Sequence, residues 1–362
     1  MLTGAAWLLA GATAHAAQPA SIGRAPAAAH GAGGHRSLHG ASTPLRSRYG
    51  AGPASRPAAR SQPGNSAPPW FGYRLPPAAL PAARMVAAPR LPFYIARKGA
   101  TTIYVLGTLH AGQPSDYPVE HPFRAPIMAA LNGSALVAFE LSPDDLVDSS
   151  ALVRTLGVCR NACLPRLAGA PLYRQVMARL HGNRAAQQAV RAMRPWFAAL
   201  MIETYDSMST GLQTEYSSEA QIENVYLKGR IVGLESLREQ IEPFAQLGLP
   251  AQREMLAQDL VQSPAQNAAD LRRLHALWRA GDADALAAWQ ARKDAALARD
   301  KALSEQIADR TVVRRNRRFV VRMLRLAGPR QPIFVSIGAL HLGGPQGVLA
   351  MLRAFGYRIQ HG

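Results

Sequence analysis

No Asp or Glu occurs before Asp116. The same opening stretch holds eleven Lys or Arg residues, from Arg24 to Lys98, so its charge is all of one sign. Between residues 18 and 90, Ala, Pro, Gly, Ser and Arg dominate, as in Ala51-Gly52-Pro53-Ala54-Ser55-Arg56-Pro57. Such a segment buries too little apolar surface to offset its ordering entropy, which excludes it from a core and predicts a disordered, semi-extended basic linker. Lys is scarce as well: apart from Lys98, Lys228, Lys293 and Lys301, the basic residues behind the formal charge of +18 are all Arg. Half of that excess sits in the linker, where nine Arg meet no carboxylate. A basic surface attracts polyanions. Because this charge is carried so largely by the linker, the expectation is no specific nucleic-acid partner, and at most a linker resting on an anionic envelope surface.

Cysteine is nearly absent. Cys159 and Cys163 are the only two, which excludes a cysteine-rich metal or disulfide scaffold. In an exported protein a close pair in a polar turn predicts a small disulfide loop. Long apolar runs are lacking too. The stretch from Ala5 to Ala14 is too short to span a bilayer, and it ends in Ala14-His15-Ala16, the small-x-small pattern of a signal-peptidase site. No Lys or Arg precedes it, so an Ala-rich leader is the competing interpretation of residues 1–17. Export, to a periplasm or outside the cell, is the expectation.

What remains is ample for a core: 362 residues, 48% of them apolar. Order is expected from Leu91. Phe93-Tyr94-Ile95-Ala96 and Thr101-Thr102-Ile103-Tyr104-Val105 flank a Gly-containing turn and predict a β-hairpin. Further strands are expected at Ala135-Leu136-Val137-Ala138-Phe139, Arg230-Ile231-Val232-Gly233-Leu234 and Ile333-Phe334-Val335-Ser336-Ile337. Helices are expected over 125–131, 171–205, 217–227 and 347–355, and over 236–327 with breaks at Leu247-Gly248-Leu249-Pro250, Ser263-Pro264 and Gly281-Asp282. Strands separated by helices predict an α/β fold with a mostly parallel central sheet, flanking helices and a large helical cap over about 150–228 and 236–328.

Two stretches share one pattern. Gly107-Thr108-Leu109-His110-Ala111-Gly112 and Gly338-Ala339-Leu340-His341-Leu342-Gly343 both read Gly-x-Leu-His-x-Gly, and each follows an apolar run. Two other runs end in Glu140 and Glu235. In a parallel sheet these four strand ends line one rim, where open α/β sheets place their sites. Two imidazoles with one or two carboxylates form a first shell for a divalent metal, which would acidify a bound water and polarise a carbonyl. Glu140 or Glu235 is expected to ligate or to act as general base, with Glu140 the leading choice. Plainer roles compete: hydrogen-bonded structural histidines, and carboxylates that cap the helices after Glu140 and Glu235. The glycines are expected to let the chain turn off the strands and approach a ligand closely.

Between Leu303 and Ala327 the positions Leu303, Ile307, Val312, Val313, Val320, Met323 and Ala327 form an apolar stripe, opposite a solvated one of Arg310, Arg314, Arg317 and Arg325. Asn316 falls inside the apolar stripe, so it either braces a turn or reaches into the crevice. Arg315 flanks that face and is suited to a bidentate grip on a carboxylate.

With these residues in place the sequence resembles the TraB/GumN family, related to the TIKI proteins. The likeness covers about residues 91–360. It rests on Leu106-Gly107-Thr108-Leu109-His110, Phe139-Glu140, Arg194-Pro195-Trp196, Gly233-Leu234-Glu235 with Gln240, Arg315-Asn316, the second Gly-x-Leu-His-x-Gly stretch, Gly347 and Gly356-Tyr357. The resemblance implies a fold shared with ChaN-like and erythromycin-esterase-like proteins. In the TIKI branch it implies metal-dependent proteolysis by two Gly-x-x-His motifs and a glutamate. Here those are His110, His341 and Glu140, supported by Arg315 and Asn316. One departure stands out: where many relatives have Gly-x-Asp, this chain has Tyr216-Ser217-Ser218-Glu219, so either Glu219 substitutes for that Asp or its contribution is lost.

The sequence thus leads to an exported metal-dependent hydrolase of peptidase type acting on a peptide or protein. His110, His341 and Glu140 would hold Mn, Co or Zn, while Glu235, Arg315 and Asn316 arrange the site. Two alternatives stay open: a non-enzymatic envelope protein binding haem or iron in the same crevice, and a polyanion-binding envelope protein.

Overall fold

The computed structural model describes residues 87–362 except 147, 148 and 228. The expected leader, and the expected linker up to residue 86, lie outside the described residues. Among those described, no helix is long and apolar enough to cross a membrane.

The hairpin forms as its sequence predicts. β1 (Phe93–Lys98) and β2 (Thr101–Thr108) pair antiparallel around Gly99, whose φ of +55° suits a residue without Cβ. β3 (Leu136–Phe139), β4 (Arg230–Gly233), β5 (Ile333–Gly338) and β6 (Arg358–His361) complete one six-stranded sheet in the order β4-β3-β5-β2-β1-β6. β2, β5, β3 and β4 run parallel, and β1 is antiparallel to both its neighbours. β5 is buried along its whole length, as its unbroken apolar run requires of a central parallel strand. The fold is α/β with a mostly parallel sheet.

Register puts the carboxyl ends of the four parallel strands on one edge. Thr108 pairs with Gly338, and Phe139 pairs with both Ser336 and Gly233. With strands about 4.8 Å apart, the four ends span roughly 15 Å. β2 and β5 are direct neighbours, so both Gly-x-Leu-His-x-Gly stretches leave the sheet side by side.

Helices cover both faces. Phe319, Val320 and Met323 pack on one face against Val335, Ile337 and Leu352. On the other, Trp278 and Leu286 pack with Phe93, Leu131 and Phe334, and Trp278 Nε1 donates to Gly107 O at 2.9 Å. The helical middle of the chain therefore divides in two. Pro264–Ala280, Ala283–Leu297 and Arg314–Leu326 lie on the sheet, whereas Pro195–Ser207, Leu237–Ala245 and Leu249–Val261 share a separate core around Trp196 and Phe244.

One helix expected over 171–205 is three: Ala170–Arg179, Arg184–Val190 and Pro195–Ser207. Gly182 at φ +84° ends the first, and Pro195 holds Arg194 extended before the third. The region 236–327 carries one break beyond those expected, at Ala298 to Asp300, where Asp300 caps the next helix through Leu303 N. Cys159 and Cys163 form a disulfide, with their Cα atoms 6.2 Å apart.

Candidate functional site

The rim reads Glu235, Glu140, His341, His110 along four adjacent strand ends. Glu140 directly follows β3, and its carbonyl accepts from Glu235 N at 2.9 Å, extending the β3/β4 ladder one step past the strands. His341 ends a short 3₁₀ turn, Ala339–His341, after β5. His110 lies two residues beyond β2.

The motif glycines stand in close contact with neighbouring protein atoms. A Cβ on Gly112 would come within 2.5 Å of Tyr216 O, and one on Gly343 would collide with Ala283 O. Gly338 stays bare beside a site residue: its N–H donates to Glu140 Oε1 at 2.7 Å, and a Cβ there would stand 3.1 Å from that oxygen. Gly107 does not turn off the strand but lies within β2, where a Cβ would press on Leu342 Cδ1 at 2.7 Å.

Arg315 is the hub. Its Nη2 donates to Glu140 Oε2 at 2.6 Å and to Glu235 Oε1 at 2.5 Å, and its Nε lies 3.0 Å and 3.2 Å from the two Glu235 oxygens. Gln240 Nε2 reaches both carboxylates at 3.3 Å. Arg315 Nη1 stands 3.2 Å from His341 Nε2, and its guanidinium packs over Phe319. All four ionisable partners are nearly sealed, with Arg315 3%, Glu140 4%, Glu235 2% and His341 7% exposed.

A π turn at Asp309–Val313 explains how adjacent residues Arg315 and Asn316 both face inward. Before it the helix buries Ser304 and Ile307, within it Thr311 and Val313, and after it Arg315, Asn316, Val320 and Met323. The step from 311 to 316 is five residues, and the wider turn absorbs the extra one, which in a regular α-helix would swing the following face by about 100°. Asn316 does both things its position allows. Its Nδ2 donates to Gln346 O at 2.8 Å, and its Oδ1 accepts from His341 Nδ1 at 2.6 Å. That fixes the proton on Nδ1 and leaves a lone pair on Nε2.

Charge follows from this geometry. Burial pushes the Glu140 carboxyl up, but Arg315, then His341 and His110, with the Gly338 N–H, outweigh it and hold the group at about 2. Burial raises Glu235, and Arg315 only partly opposes it. Burial and the Arg315 charge lower His341 to about 4, against a partial pull from Glu140, so it is neutral at pH 7. Burial lowers His110, but Glu219 more than reverses this and leaves it raised.

The His110 end is built differently. Its Nδ1 lies 3.5 Å from Glu219 Oε2, too far for a good hydrogen bond. Its Nε2 is buried with no hydrogen-bond partner. Glu219 is steadied by Thr108, whose hydroxyl donates to Oε1 at 2.7 Å. Glu219 thus reaches the His110 end of the rim. A cleft of about 210 Å³ opens here, lined by His110, Glu140 and Glu219 among others.

The capping roles are filled by other residues, while the hydrogen bonds of His341 are those of a structural histidine. Ser236 and Glu239 cap the helix after Glu235 with a reciprocal capping box, and Ser142 with Asp145 stabilises the turn after Glu140. Gln240 was noted in the sequence only as a motif residue, and its role as a clamp on two carboxylates has no sequence signal beyond its helical spacing from Glu235. Asp116 also escaped notice. Fully buried, it binds Gln113 N, His275 and Arg279, and so ties the loop after His110 to Pro264–Ala280.

The model of the TraB/PrgY/gumN family matches residues 92–361. The chain belongs to the TraB/PrgY/gumN family. No curated protein and no solved structure matches it. The TraB/PrgY/gumN match takes in the whole sheet, both Gly-x-Leu-His-x-Gly stretches and the Arg315 hub.

Whether the rim suits a metal turns on its donors. Among the described residues no three His, Cys, Asp or Glu side chains form a ready cage. Arg315 occupies two of the candidate donors, its Nη1 lying against the His341 lone pair and its Nη2 taking a Glu140 oxygen. The donor chemistry itself fits: His341 is neutral in the ligating tautomer, Glu140 is ionised, their Nε2 and Oε1 are 3.7 Å apart, and His110 Nε2 lacks a partner.

Proposed function

We propose that this chain is an exported metal-dependent hydrolase of peptidase type, with the sheet rim as its active site. The observation that carries the proposal is the approach of His341 Nε2 to Glu140 Oε1, beside a His110 Nε2 that is buried, unpartnered and on an open cleft. His110, His341 and Glu140 would hold a divalent Mn, Co or Zn ion, which when bound supplies an acidified water and a polarised carbonyl.

The chain's own residues divide the remaining work. Asn316 orients His341 and fixes its tautomer. Arg315 keeps Glu140 ionised; to free all three donors it must give up its contact with His341 while retaining Glu235. Glu235 is then the anchor that holds the guanidinium nearby to meet developing negative charge on a substrate oxygen. Glu219 holds His110 at the cleft. Peptide would enter along the cleft, whose apolar walls Phe139, Leu141 and Pro143 exclude water beside Glu140.

Export is supported by the Cys159–Cys163 disulfide, which is at home in an oxidising compartment. Haem binding has less support: a cleft of about 210 Å³ is smaller than the roughly 300–1,000 Å³ of pockets that enclose drug-sized ligands. The test is turnover of a mixed-sequence peptide library by chelator-treated protein, before and after adding Mn, Co or Zn. Metal-restored cleavage that Glu140→Gln abolishes is expected. No cleavage with any metal, by folded protein, would overturn the proposal.

A further inference from the structure

The chain carries a formal charge of +18, yet no Lys or Arg lines the cleft beside His110. Three carboxylates do: Glu140, Glu219 and Glu223. Glu140 is neutralised by Arg315. Glu219 and Glu223 are one turn apart on the helix Ser218–Val225, so they present like charges along one face. Glu219 Oε2 is buried without a hydrogen-bond partner, and Glu223, exposed at the mouth, has no ion pair among the described residues. Burial, and behind it the Glu219 charge, raises the Glu223 carboxyl, while Glu219 Oε2 lies 3.5 Å from His110 Nδ1.

A separate feature says that the cleft takes a ligand. The His110 side chain is only 9% exposed, and its Nε2 borders the cleft with nothing to bind. Phe139, Leu141 and Pro143 supply an apolar wall. A wall that leads to two carboxylates matches a side chain with a methylene stem and a cationic head. With His110 and Glu140 engaged at the rim, Glu219 and Glu223 are left at the cleft to meet an organic cation.

We infer that the cleft is a subsite for an ammonium or guanidinium group, so that peptides taken by the rim carry Lys or Arg beside the bond that is cut. The substrate part of this inference rests on the hydrolase reading; the charge preference of the cleft does not. Glu219 is the deeper contact and Glu223 the one at the mouth.

The test uses the full chain with added metal and a peptide library varied one position at a time. The expected result is at least tenfold faster cleavage with Lys or Arg at one position than with norleucine or citrulline. Glu223→Lys should cut that preference at least fivefold. Cleavage without a basic preference, or with one that Glu223→Lys does not alter, overturns the subsite and leaves the hydrolase standing. If no peptide is cut, butylamine and 1-butanol are compared by NMR at the His110 imidazole. Saturable binding of the amine alone, lost in Glu223→Lys, supports the subsite while the hydrolase falls. Equal or absent effects of the two probes overturn the subsite.

Discussion

The same six-residue pattern ends β2 and β5, yet its two histidines have opposite surroundings. His341 is fully engaged, with Nδ1 on Asn316 and Nε2 against Arg315, inside a sealed network that includes two carboxylates. His110 is loosely held by Glu219 at 3.5 Å, has an unpartnered Nε2 and borders an open cleft. One end of the rim is locked by charge and the other is left free to bind. A buried network that is fully satisfied fixes geometry, while a partly satisfied one is where a ligand gains most.

The contrast breaks most severely at Arg315. Arg315→Met leaves Glu140 buried without its cation and Glu235 with only the partly exposed Arg318 at 3.5 Å, and removing one partner of such a network costs about 3–5 kcal/mol; urea unfolding should show a loss of unfolding free energy of that size. A smaller effect separates the histidines by pH. His341 has a folded value of about 4 against 6.5 when free, so between these values the unfolded chain binds the extra proton and stability falls as pH drops. From pH 7 to 5 that loss is about 2 kcal/mol. Glu140, held at about 2 from 4.5, adds a further loss below pH 4.5. His110, raised, acts in the opposite sense, contributing stability that fades as pH rises through its folded value. His341→Gln should therefore flatten the acid side of the stability curve, and an unchanged slope would refute the locked imidazole. The smallest effect belongs to His110→Gln, which should change the free energy of unfolding by less than about 1 kcal/mol, because few partners are lost there.

Much of the rim was legible because apolar runs that stop at an ionisable residue mark strand ends. Glu140, Glu235 and both histidines stand out that way, and Asn316 stands out as a polar residue in an apolar stripe. The order of the strands was not legible: only the fold shows β5 between β3 and β2, which puts His341 rather than His110 next to Glu140. Nor could spacing reveal the π turn, since the five-residue step from Thr311 to Asn316 is visible only once burial is known. The hub role of Arg315 and the clamp by Gln240 depend on contacts across 175 and 100 residues of chain, which no local pattern encodes. Asp116 was hidden for the same reason, as its partner His275 lies 159 residues away.

The central claim is that these two dissimilar histidines serve one ion. Its most direct test is to follow the imidazole ¹⁵N signals of the full chain at pH 7 while Zn is added. The account predicts that His110 and His341 shift together and saturate at one equivalent, with the ligating nitrogen being Nε2 in both. If only one of them moves, or neither does, the shared site is contradicted.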